Sequence, residues 1–431
     1  MNLNQTLQEK YPHLEVSVFS YSKVKEHLIF GSEFNSNTRE NAIQSIVSNK
    51  NVNDYFELIN TNVSTLKEFI YIYDLTHSLG NFMIDVEPTQ EIGSNKKEAI
   101  KGDFVISRLR SYLKEMAVIQ SKNFKQLLST EYLVYRPKTN LLSSNTLLAF
   151  SLSRIVQTIL NYSQYGTEHP RFYEFVFNEM PIPKCLLLMN AEIDSIMNKA
   201  YEVLEQSKIF YKKAEETLYL ELGLDPKNPL QSLLDSKTNI PTNSLNISIR
   251  TLKESFLKTG RLDSEYYQSK YEDIEKFIKS YPNGYDSFSN IINNKDTNFT
   301  PKNNENYSYI ELANIGNNGN ISEPISDLGK NLPTRARRIV SKGDVIISSI
   351  EGSLSSCALI TQEFDKHLVS TGFFVLNSKL LNGETLLVMF KSQIFQEYLK
   401  KFPSGTILCA INKEELSKIL IPKIDSTTQE K

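Results

Sequence analysis

The sequence predicts a mixed α/β protein made of two copies of one domain joined by a long helix. Three observations lead to this prediction. The chain has 431 residues, more than one hydrophobic core usually supports, so two or more domains are expected. A pattern of strands and helices occurs twice in the same order, and one uninterrupted helical pattern stands between the two occurrences.

The repeat is clearest in two stretches that each begin with Lys-Gly-Asp. Residues 101–119 read KGDFVISRLRSYLKEMAVI and residues 342–360 read KGDVIISSIEGSLSSCALI, with eight of nineteen positions identical at a constant offset of 241. Each Lys-Gly-Asp predicts a turn, because Gly permits positive φ and Asp can accept a hydrogen bond from its own backbone. The three apolar residues that come next predict a buried strand in each copy. One segment of the chain has therefore been duplicated.

The rest of the repeat keeps nearly the same offset. Each copy opens with an alternating, strand-like segment, and beyond the Lys-Gly-Asp turn it has a strand, a helical segment, a Gly-Thr pair and an Ile-Pro-Lys exit. In pairs, these are the opening segments 14–21 and 245–250, the strands 132–135 and 373–376, the helical segments 146–163 and 385–402, Gly166 with Thr167 and Gly405 with Thr406, and the exits 182–184 and 421–423.

The helix between the copies is predicted from residue 191 to residue 222. No Gly or Pro interrupts this stretch, and Gly223 stands directly after it as a stop signal. Its length would be about 48 Å at ~1.5 Å per residue. Apolar or small residues recur in steps of three and four, which predicts a seam for a partner helix, although a buried core helix is the alternative. The seam residues are Ile193, Ile196, Ala200, Val203, Phe210 and Ala214.

These patterns divide the chain into five parts. The predicted parts are a first domain at 1–190, the spacer helix at 191–223, a linker at 224–244, a second domain at 245–424 and a tail at 425–431. A second spacer helix would complete the repeat after the second exit, and only the tail stands there.

Composition excludes several classes of protein. The chain has 48 Lys and Arg against 50 Asp and Glu, a formal net charge of -2, so any DNA binding must come from local basic patches. Three scattered cysteines and five unclustered histidines predict neither a disulfide framework nor a metal site. No run of eighteen apolar residues occurs, and no signal-peptide pattern opens the sequence. A cytoplasmic protein with no membrane contact is expected.

No catalytic residues are predicted. The sequence has no Pro-Pro pair, as the Asn/Asp-Pro-Pro-aromatic loop of a DNA amino-methyltransferase requires, and no phosphate-binding GxxxxGK[ST] loop. The acidic residues Asp273 and Glu275 stand at helical spacing and are interpreted as a solvated helix face rather than a nuclease site.

Basic residues in both copies predict contact with DNA. In the second copy Arg335, Arg337 and Arg338 stand close together with no acidic residue nearby in the sequence, and the first copy has Lys96 and Lys97 in that region. Guanidinium groups suit bidentate contact with phosphate or with guanine O6 and N7.

The polar residues that follow the first repeated strand differ between the copies. The first copy has Ser107, Arg108 and Arg110, whereas the second has Ser348, Ser349 and Glu351. A repeated frame with different polar side chains is what two readers of two different short DNA sequences need, because base edges are discriminated by side-chain donors and acceptors. The alternative is a duplicate whose exposed loops have simply drifted.

The paired Lys-Gly-Asp units, the segments LPTRARRIV and STGFFVL, the SGT loop before INKEEL, and the helix between the copies resemble the DNA specificity subunit of type I restriction-modification systems. This resemblance covers nearly the whole chain. It implies two target recognition domains, each reading one half of a split site in double-stranded DNA, and paired helices that set the gap. It also places the strand-end residues, the loop 335–338 and the Gly-Thr loops near DNA.

The same resemblance implies the partners and the cofactors. The helix would dock DNA methyltransferase subunits, with a restriction and translocase subunit and a second copy of the chain as further partners. The chain itself would be non-catalytic and would hold no cofactor, since S-adenosylmethionine, magnesium and ATP belong to those partners. The rival hypothesis is a protein-interaction scaffold or decoy subunit that kept the duplicated frame and lost DNA reading.

Overall fold

The computed structural model describes residues 3–14, 16, 18–25, 27–235, 249–316, 319–405 and 409–431. Thr406 of the predicted site and residues 245–248 of the second opening segment lie outside this range. The chain forms two units, Met1–Val203 and Leu204–Lys431, and each unit contains its own hydrophobic cores.

The first unit combines antiparallel and mixed sheets with short helices. Its described strands are β1 (Phe56–Ile59), β2 (Asn62–Val63), β3 (Ile70–Tyr73), β4 (Lys96–Ala99), β5 (Phe104–Ser107), β6 (Met116–Val118), β7 (Lys125–Ser129), β8 (Tyr132–Pro137), β9 (Gln164–Tyr165) and β10 (Arg171–Phe172). Its described helices are α1 (Leu3–Lys10), α2 (Tyr21–Val24), α3 (Asn37–Gln44), α4 (Val52–Tyr55), α5 (Ser144–Ser151), α6 (Arg154–Asn161) and α7 (Glu174–Asn178). The long helix α8 (Lys184–Glu221) begins in this unit and ends in the next.

The second unit repeats this arrangement. Its described strands are β11 (Tyr285–Ser287), β12 (Ile292–Asn294), β13 (Asn306–Ile310), β14 (Ile325–Leu328), β15 (Ala336–Ile339), β16 (Val345–Ser348), β17 (Cys357–Leu359), β18 (Leu368–Ser370), β19 (Phe373–Ser378) and β20 (Leu420–Pro422). Its described helices after α8 are α9 (Pro229–Asp235), α10 (Phe256–Thr259), α11 (Ser269–Lys279), α12 (Phe288–Ile291), α13 (Gly383–Lys391), α14 (Gln393–Leu399), α15 (Lys413–Ser417) and α16 (Ser426–Gln429).

Each unit has two four-stranded sheets; the orders of the antiparallel sheets match, and the mixed sheets share three strands. The antiparallel sheet runs β1-β8-β5-β6 in the first unit and β12-β19-β16-β17 in the second. The mixed sheet runs β2-β4-β7-β3 and β14-β13-β18-β15, with β3 parallel to β7 and β13 parallel to β18. The predicted class, mixed α/β with a duplicated domain and a long helix, is confirmed.

Strand β5 explains why the repeated strand is a continuous apolar run. Phe104 and Ile106 point into a core beneath the helices, whereas Val105 points the other way, into a core shared with the mixed sheet. Side chains alternate along a strand, so a strand that is covered on both faces must be apolar at every position. Val345, Ile346 and Ile347 of β16 divide between two cores in the same way.

The Lys-Gly-Asp turns have the predicted chemistry. Gly102 and Gly343 have φ values of +90° and +87°, a region that favours glycine. The carboxylate of Asp103 accepts a hydrogen bond of 2.9 Å from the Ile100 N–H, and that of Asp344 accepts one of 2.7 Å from the Ser341 N–H.

Two predicted elements differ from the structure. The helical segments 146–163 and 385–402 are each two helices rather than one, because Ser153 and Ser392 act as N-caps that accept hydrogen bonds from Val156 N and Phe395 N. The strand predicted at 14–21 does not form among the described residues of that segment, and α2 begins at Tyr21.

The long helix begins earlier than predicted. It starts at Lys184 instead of residue 191, directly after Pro183, whose carbonyl accepts a hydrogen bond of 3.0 Å from the Leu186 N–H. The apolar run CLLLM at 185–189 interrupts the seam spacing, which is why the pattern alone placed the start later.

The side of α8 that packs against its own chain is one position away from the predicted seam. Met197 packs on the first unit's core, and Leu218 is buried in the second unit's core. Burial raises the pKa of Tyr211, which lies on the same stripe. The predicted seam is instead exposed, with Ile196 at 61% and Phe210 at 67%. Two neighbouring stripes share the three-and-four spacing, so periodicity alone does not choose between them.

The C-terminal tail is ordered. Asp425 caps α16, and the Thr428 hydroxyl donates a hydrogen bond of 2.9 Å to Glu221 at the end of α8. Within the described part of the chain, no helix is both long and apolar enough to cross a lipid bilayer.

Candidate nucleic-acid interface

In the first unit, the residues after β5 are held by two other segments of the chain. The Arg108 N–H donates to the Glu131 carbonyl (3.2 Å), and the Arg108 carbonyl accepts from the Phe172 N–H (3.0 Å). The Arg110 N–H donates to the Pro170 carbonyl (2.8 Å). Backbone hydrogen bonds therefore bring together the strand end, the turn between β7 and β8, and the end of the Gly-Thr loop.

The second unit has the same backbone frame. The Ser349 N–H donates to the Gly372 carbonyl (2.9 Å), and the Ser349 carbonyl accepts from the Ile411 N–H (2.8 Å). The Glu351 N–H donates to the Cys409 carbonyl (3.0 Å). Each of these three hydrogen bonds has an equivalent in the first unit. The residues of the strand end and the turn are related by an offset of 241 in residue number, and those of the loop by 239.

The serines that close the repeated strands are part of this frame rather than of its surface. The buried Ser107 hydroxyl accepts from the Leu109 N–H (3.2 Å), and the buried Ser348 hydroxyl accepts from the Ile350 N–H (3.1 Å). Both side chains were predicted to lie near DNA, and both stabilise the turn beneath the polar residues that follow.

The first unit carries cations on this frame. Glu131 accepts hydrogen bonds from Arg108 Nε (3.0 Å) and from Arg171 Nε and Nη2 (3.0 and 2.7 Å). Arg171, followed by Arg108, holds the pKa of the Glu131 carboxyl below its ordinary value. Arg110 Nη2 lies 3.0 Å from His169 Nδ1 at the surface. Two arginines on one carboxylate, with Arg110 nearby, leave the site with a net positive charge.

The second unit has no arginine at these positions. Gly372 replaces Glu131, and the Ser349 hydroxyl donates to the Gly372 carbonyl (2.9 Å). Glu351 is exposed at the position of Arg110, and its hydrogen bond with the Cys409 thiol raises the pKa of that thiol. The two sites therefore share these backbone hydrogen bonds and differ in charge, and their backbones differ at this residue, since Arg110 has a φ of +48° whereas Glu351 is the first residue of a 3-10 helix.

A buried carboxyl lies behind the first site only. Glu115 is 5% exposed, and burial raises its pKa. A hydrogen bond with the Ser107 hydroxyl lowers this pKa by a smaller amount. Ser356 stands at the equivalent position of the second unit.

The Gly-Thr loops lie beside both strand ends. Gly166 and Gly405 have φ values of +85° and +133°, and Thr167 is exposed. An isolated bridge joins Leu109 to Arg171 in the first unit and another joins Ile350 to Ala410 in the second.

The basic cluster of the second unit is only partly available. It lies at the start of β15, where side chains alternate between faces. Arg335 is exposed, with Nη2 3.3 Å from a Glu311 carboxylate oxygen, and Arg337 Nε donates to the Thr334 carbonyl (2.6 Å). Arg338 is half-buried, bonds the Phe373 carbonyl and has a pKa lowered by burial. Arg338 is therefore engaged within the protein in this structure, and the contact of the three arginines with DNA stays a prediction.

The lysines predicted for the first unit lie on strand β4. Lys97 is 8% exposed, donates to the Tyr132 carbonyl (2.8 Å) and has a pKa lowered by burial, so in this structure its ammonium group is engaged within the protein, and its DNA contact stays a prediction. Lys96 Nζ lies 3.7 Å from an Asp74 carboxylate oxygen. Among the residues whose structure is described, no group of His, Cys, Asp and Glu side chains is arranged to bind a metal ion.

Sequence reasoning missed Glu131, His169 and Arg171 in the first site and Gly372 and Cys409 in the second. The signal was available, since applying the offsets of 241 and 239 to the strand-end segments pairs Glu131 with Gly372 and Pro170 with Cys409.

No family model matches the chain. A curated relative, the type I restriction enzyme HindI specificity subunit from Haemophilus influenzae, is 29% identical over 158 residues, which is 36% of this chain and 33% of the relative. The chain thus matches about a third of the length of that relative.

Three solved structures are similar over most of the chain. The S subunit of a type I restriction-modification system from M. genitalium has a TM-score of 0.41 at 13% identity, covering 89% of this chain and 87% of that one. A structure on complex assembly and conformational transition of the type I R-M system gives 0.29 at 16%, covering 88% and 86%. The HsdS subunit from Thermoanaerobacter tengcongensis gives 0.27 at 14%, covering 88% and 85%.

The fold and the paired sites define a duplicated mixed α/β protein with one backbone frame used twice. Its resemblance to specificity subunits of type I restriction-modification systems is confirmed by the relative of that name. A specificity subunit as relative also agrees with the prediction that the chain is not itself an enzyme.

Proposed function

We propose that this chain is the non-catalytic, sequence-specific DNA-recognition subunit of a type I restriction-modification enzyme, with each unit reading one half of a bipartite site in double-stranded DNA. The observation that carries the proposal is the frame of three segments that occurs in both units with different polar side chains. A frame that only served stability would have no reason to replace Arg108, Arg110 and Glu131 by Ser349, Glu351 and Gly372.

The chemistry of the two sites supports this function. Contacts to phosphate position a protein on DNA, whereas donors and acceptors aimed at base edges give specificity. The half-buried Arg110 and the exposed Arg335 are cations that can supply both kinds of group within a chain of nearly neutral net charge. Binding should therefore weaken steeply with salt, because each phosphate contact releases counterions.

Exchange of one domain tests this function. Residues 14–184 are replaced by the matching domain of a related subunit, and the methylated motifs of the host are mapped by methylome sequencing. One half of the split motif should change and the other should remain, because contacts far apart contribute nearly independently.

Two results would contradict the proposal. If both halves of the motif changed, the units would not be independent readers. If no methylated motif depended on the gene at all, the chain would be the rival, a protein-interaction scaffold without DNA reading.

The exposed stripe of α8 supports a second part of the proposal, in which this helix docks the methyltransferase subunits and sets the gap between the half-sites. Ile196, Val203 and Phe210 are 61%, 51% and 67% exposed, and such stripes bind partner helices. Changing Ile196 and Val203 to Asp should weaken assembly with the methyltransferase subunits by about tenfold or more, as the loss of buried anchors does. Light scattering measures the mass of the assembled complex.

A matched pair controls for added charge on the helix. Gln206 and Lys213 are also exposed and seven residues apart, on a neighbouring face, so changing both to Asp should leave assembly intact. Normal assembly of the Ile196 and Val203 variant would remove the docking role from this stripe.

A further inference from the structure

We infer that the two units read base edges of opposite hydrogen-bonding character, the first through Arg110 at a guanine and the second through Glu351 at a base that presents an exocyclic amino group. This inference rests on the proposed function and names the chemistry that each half-site must offer.

Arg110 and Glu351 occupy one position of the repeated frame. Their backbone N–H groups donate to Pro170 and Cys409, at 2.8 and 3.0 Å, which are equivalent residues of the two Gly-Thr loops. Arg110 directly precedes the 3-10 helix Ser111–Leu113 and has a left-handed backbone, whereas Glu351 is the first residue of the 3-10 helix Glu351–Ser353. The chain therefore presents a cation in one unit and an anion in the other from the same place.

In the first unit, Arg110 is better placed to read a base than its neighbours. Arg171 donates from Nε and Nη2 to Glu131 and from Nη1 to the His169 carbonyl, so its guanidinium is fully engaged within the protein, and Arg108 is held to Glu131 through Nε. Arg110 has one recorded side-chain hydrogen bond among the described residues, to His169 Nδ1, which orients the guanidinium at the surface. Its other donors match guanine, whose major-groove edge offers the two acceptors O6 and N7.

In the second unit, the charge of Glu351 excludes most other roles on DNA. A carboxylate is acceptor-only and is repelled by phosphates, so the group on DNA that suits Glu351 is a base amino group, from which one of its oxygens can accept a hydrogen bond beside the one with the Cys409 thiol. Those groups are N4 of cytosine, the usual partner of Glu, and N6 of adenine. Among the described residues no Lys or Arg forms an ion pair with Glu351, and the nearby Ser349 hydroxyl is bound to the Gly372 carbonyl.

The test uses the assembled complex with a pool of randomised DNA duplexes, followed by sequencing of the bound fraction. The parent is compared with Arg110→Lys, which keeps the charge but loses the bidentate fork, and with Glu351→Gln, which keeps the shape but loses the charge. Arg154→Lys and Glu363→Gln are matched controls, because both residues are exposed and lie outside the frame in the same two units.

The parent should select a split motif. Arg110→Lys should weaken the preference for guanine at one position of one half-site by about tenfold or more, which is the discrimination typical of a bidentate contact. The other half-site should remain unchanged. Glu351→Gln should relax a cytosine or an adenine in the other half. The controls should select the parent motif.

A second arm separates base reading from phosphate contact. Replacing the selected guanine by 7-deazaguanine removes its N7 acceptor, which should weaken binding by the parent and have little effect on Arg110→Lys. The inference would be overturned if the variants bound all DNA sequences more weakly to the same degree, or if both variants selected the parent motif. In either case a split motif selected by the parent would still support the proposed function. A parent that selected no motif would overturn both.

Discussion

The buried aspartate of the Lys-Gly-Asp turn has a different counter-charge in each unit. Asp103 accepts two hydrogen bonds of 2.8 Å from the Arg136 fork on β8. Asp344 accepts one of 2.7 Å from Lys295 and one of 3.2 Å from Asn377, which is the residue equivalent to Arg136. Both turns keep the anion, and its counter-charge comes from Arg136 on β8 in the first unit and from Lys295, the residue after β12, in the second. The buried aspartate is therefore the same in both units, whereas the residue that supplies its counter-charge differs.

The mixed sheets differ in a related way. Three strands of each sheet correspond, β3, β7 and β4 to β13, β18 and β15, and they include the parallel pair in both units. The fourth strand is β2 beside β4 in the first unit, whereas it is β14 beside β13 in the second, on the opposite edge. Strands that contact the core are therefore retained, and an edge strand with few core contacts can be exchanged.

The largest effect on stability is expected from removing Arg136, the cation beside Asp103, and it is compared with removing Asn377, the equivalent residue of the second unit. Arg136→Ala should lower the free energy of unfolding by about 2–4 kcal/mol, because Asp103 is 1% exposed and would be left without a counter-charge. Asn377→Ala should cost only about 1 kcal/mol, since Lys295 still neutralises Asp344 and one neutral donor is lost. Urea denaturation of the two variants gives both values.

Lys295→Ala completes this set. If Lys295 is the cation of the second unit, its removal should cost more than Asn377→Ala. Equal costs for Arg136→Ala and Asn377→Ala would mean that the charge of Arg136 contributes nothing beyond a hydrogen bond, and the comparison between the two aspartates would fail.

A smaller effect is expected at the interface, where the first unit has Glu131 and the second has Gly372 at the equivalent position. Arg171 and Arg108 lower the pKa of Glu131 in the folded protein. The ionised carboxylate therefore stabilises the fold at any pH above the ordinary pKa of 4.5, and this stabilisation is lost as the pH falls through the lowered pKa. Glu131→Gln should therefore lower stability by about 1–2 kcal/mol at neutral pH, a figure reduced because the pair is partly exposed to solvent. Unfolding measured from pH 7 to pH 3 should show parent and variant converging.

Glu363→Gln is the matched control in the second unit, because Glu363 is exposed and has no equivalent pair of arginines. A constant difference between parent and Glu131→Gln across the whole pH range would show that packing, rather than charge, holds the cluster.

The contrast between these residues also explains what the sequence could reveal. The Lys-Gly-Asp turns and the strands after them could be predicted, because Gly102 and Asp103 act on their own neighbours. The pairing of Glu131 with Arg171, forty residues away, follows no local pattern and depends on how the sheets fold.

Burial of single charged residues was equally hidden. Lys97 and Arg338 look like members of exposed basic runs, and strand alternation turns each toward a backbone carbonyl, of Tyr132 and Phe373 respectively. The long helix could be predicted because nothing interrupts it. Its packed face could not, because Ile196 and Met197 belong to adjacent stripes with the same spacing.

The smallest effect concerns the glycine that replaces Glu131. At Gly372 an added Cβ would have its nearest neighbours at 3.5 Å (Ser370 Oγ) and 3.7 Å (an Ile350 methyl), which are ordinary contacts, and its φ lies outside the left-handed region. Gly372→Ala should therefore stabilise the chain by about 0.4–1 kcal/mol, because alanine restricts the unfolded chain at no cost to the folded one. Gly343→Ala is the matched control, since its Cβ would also meet open space while its φ of +87° strains any side chain, and it should destabilise by about 1 kcal/mol. Thermal unfolding of the two variants decides the point. If Gly372→Ala were as destabilising as Gly343→Ala, this position would need glycine for its backbone, and the loss of the carboxylate in the second unit would reflect the fold rather than a different choice of base.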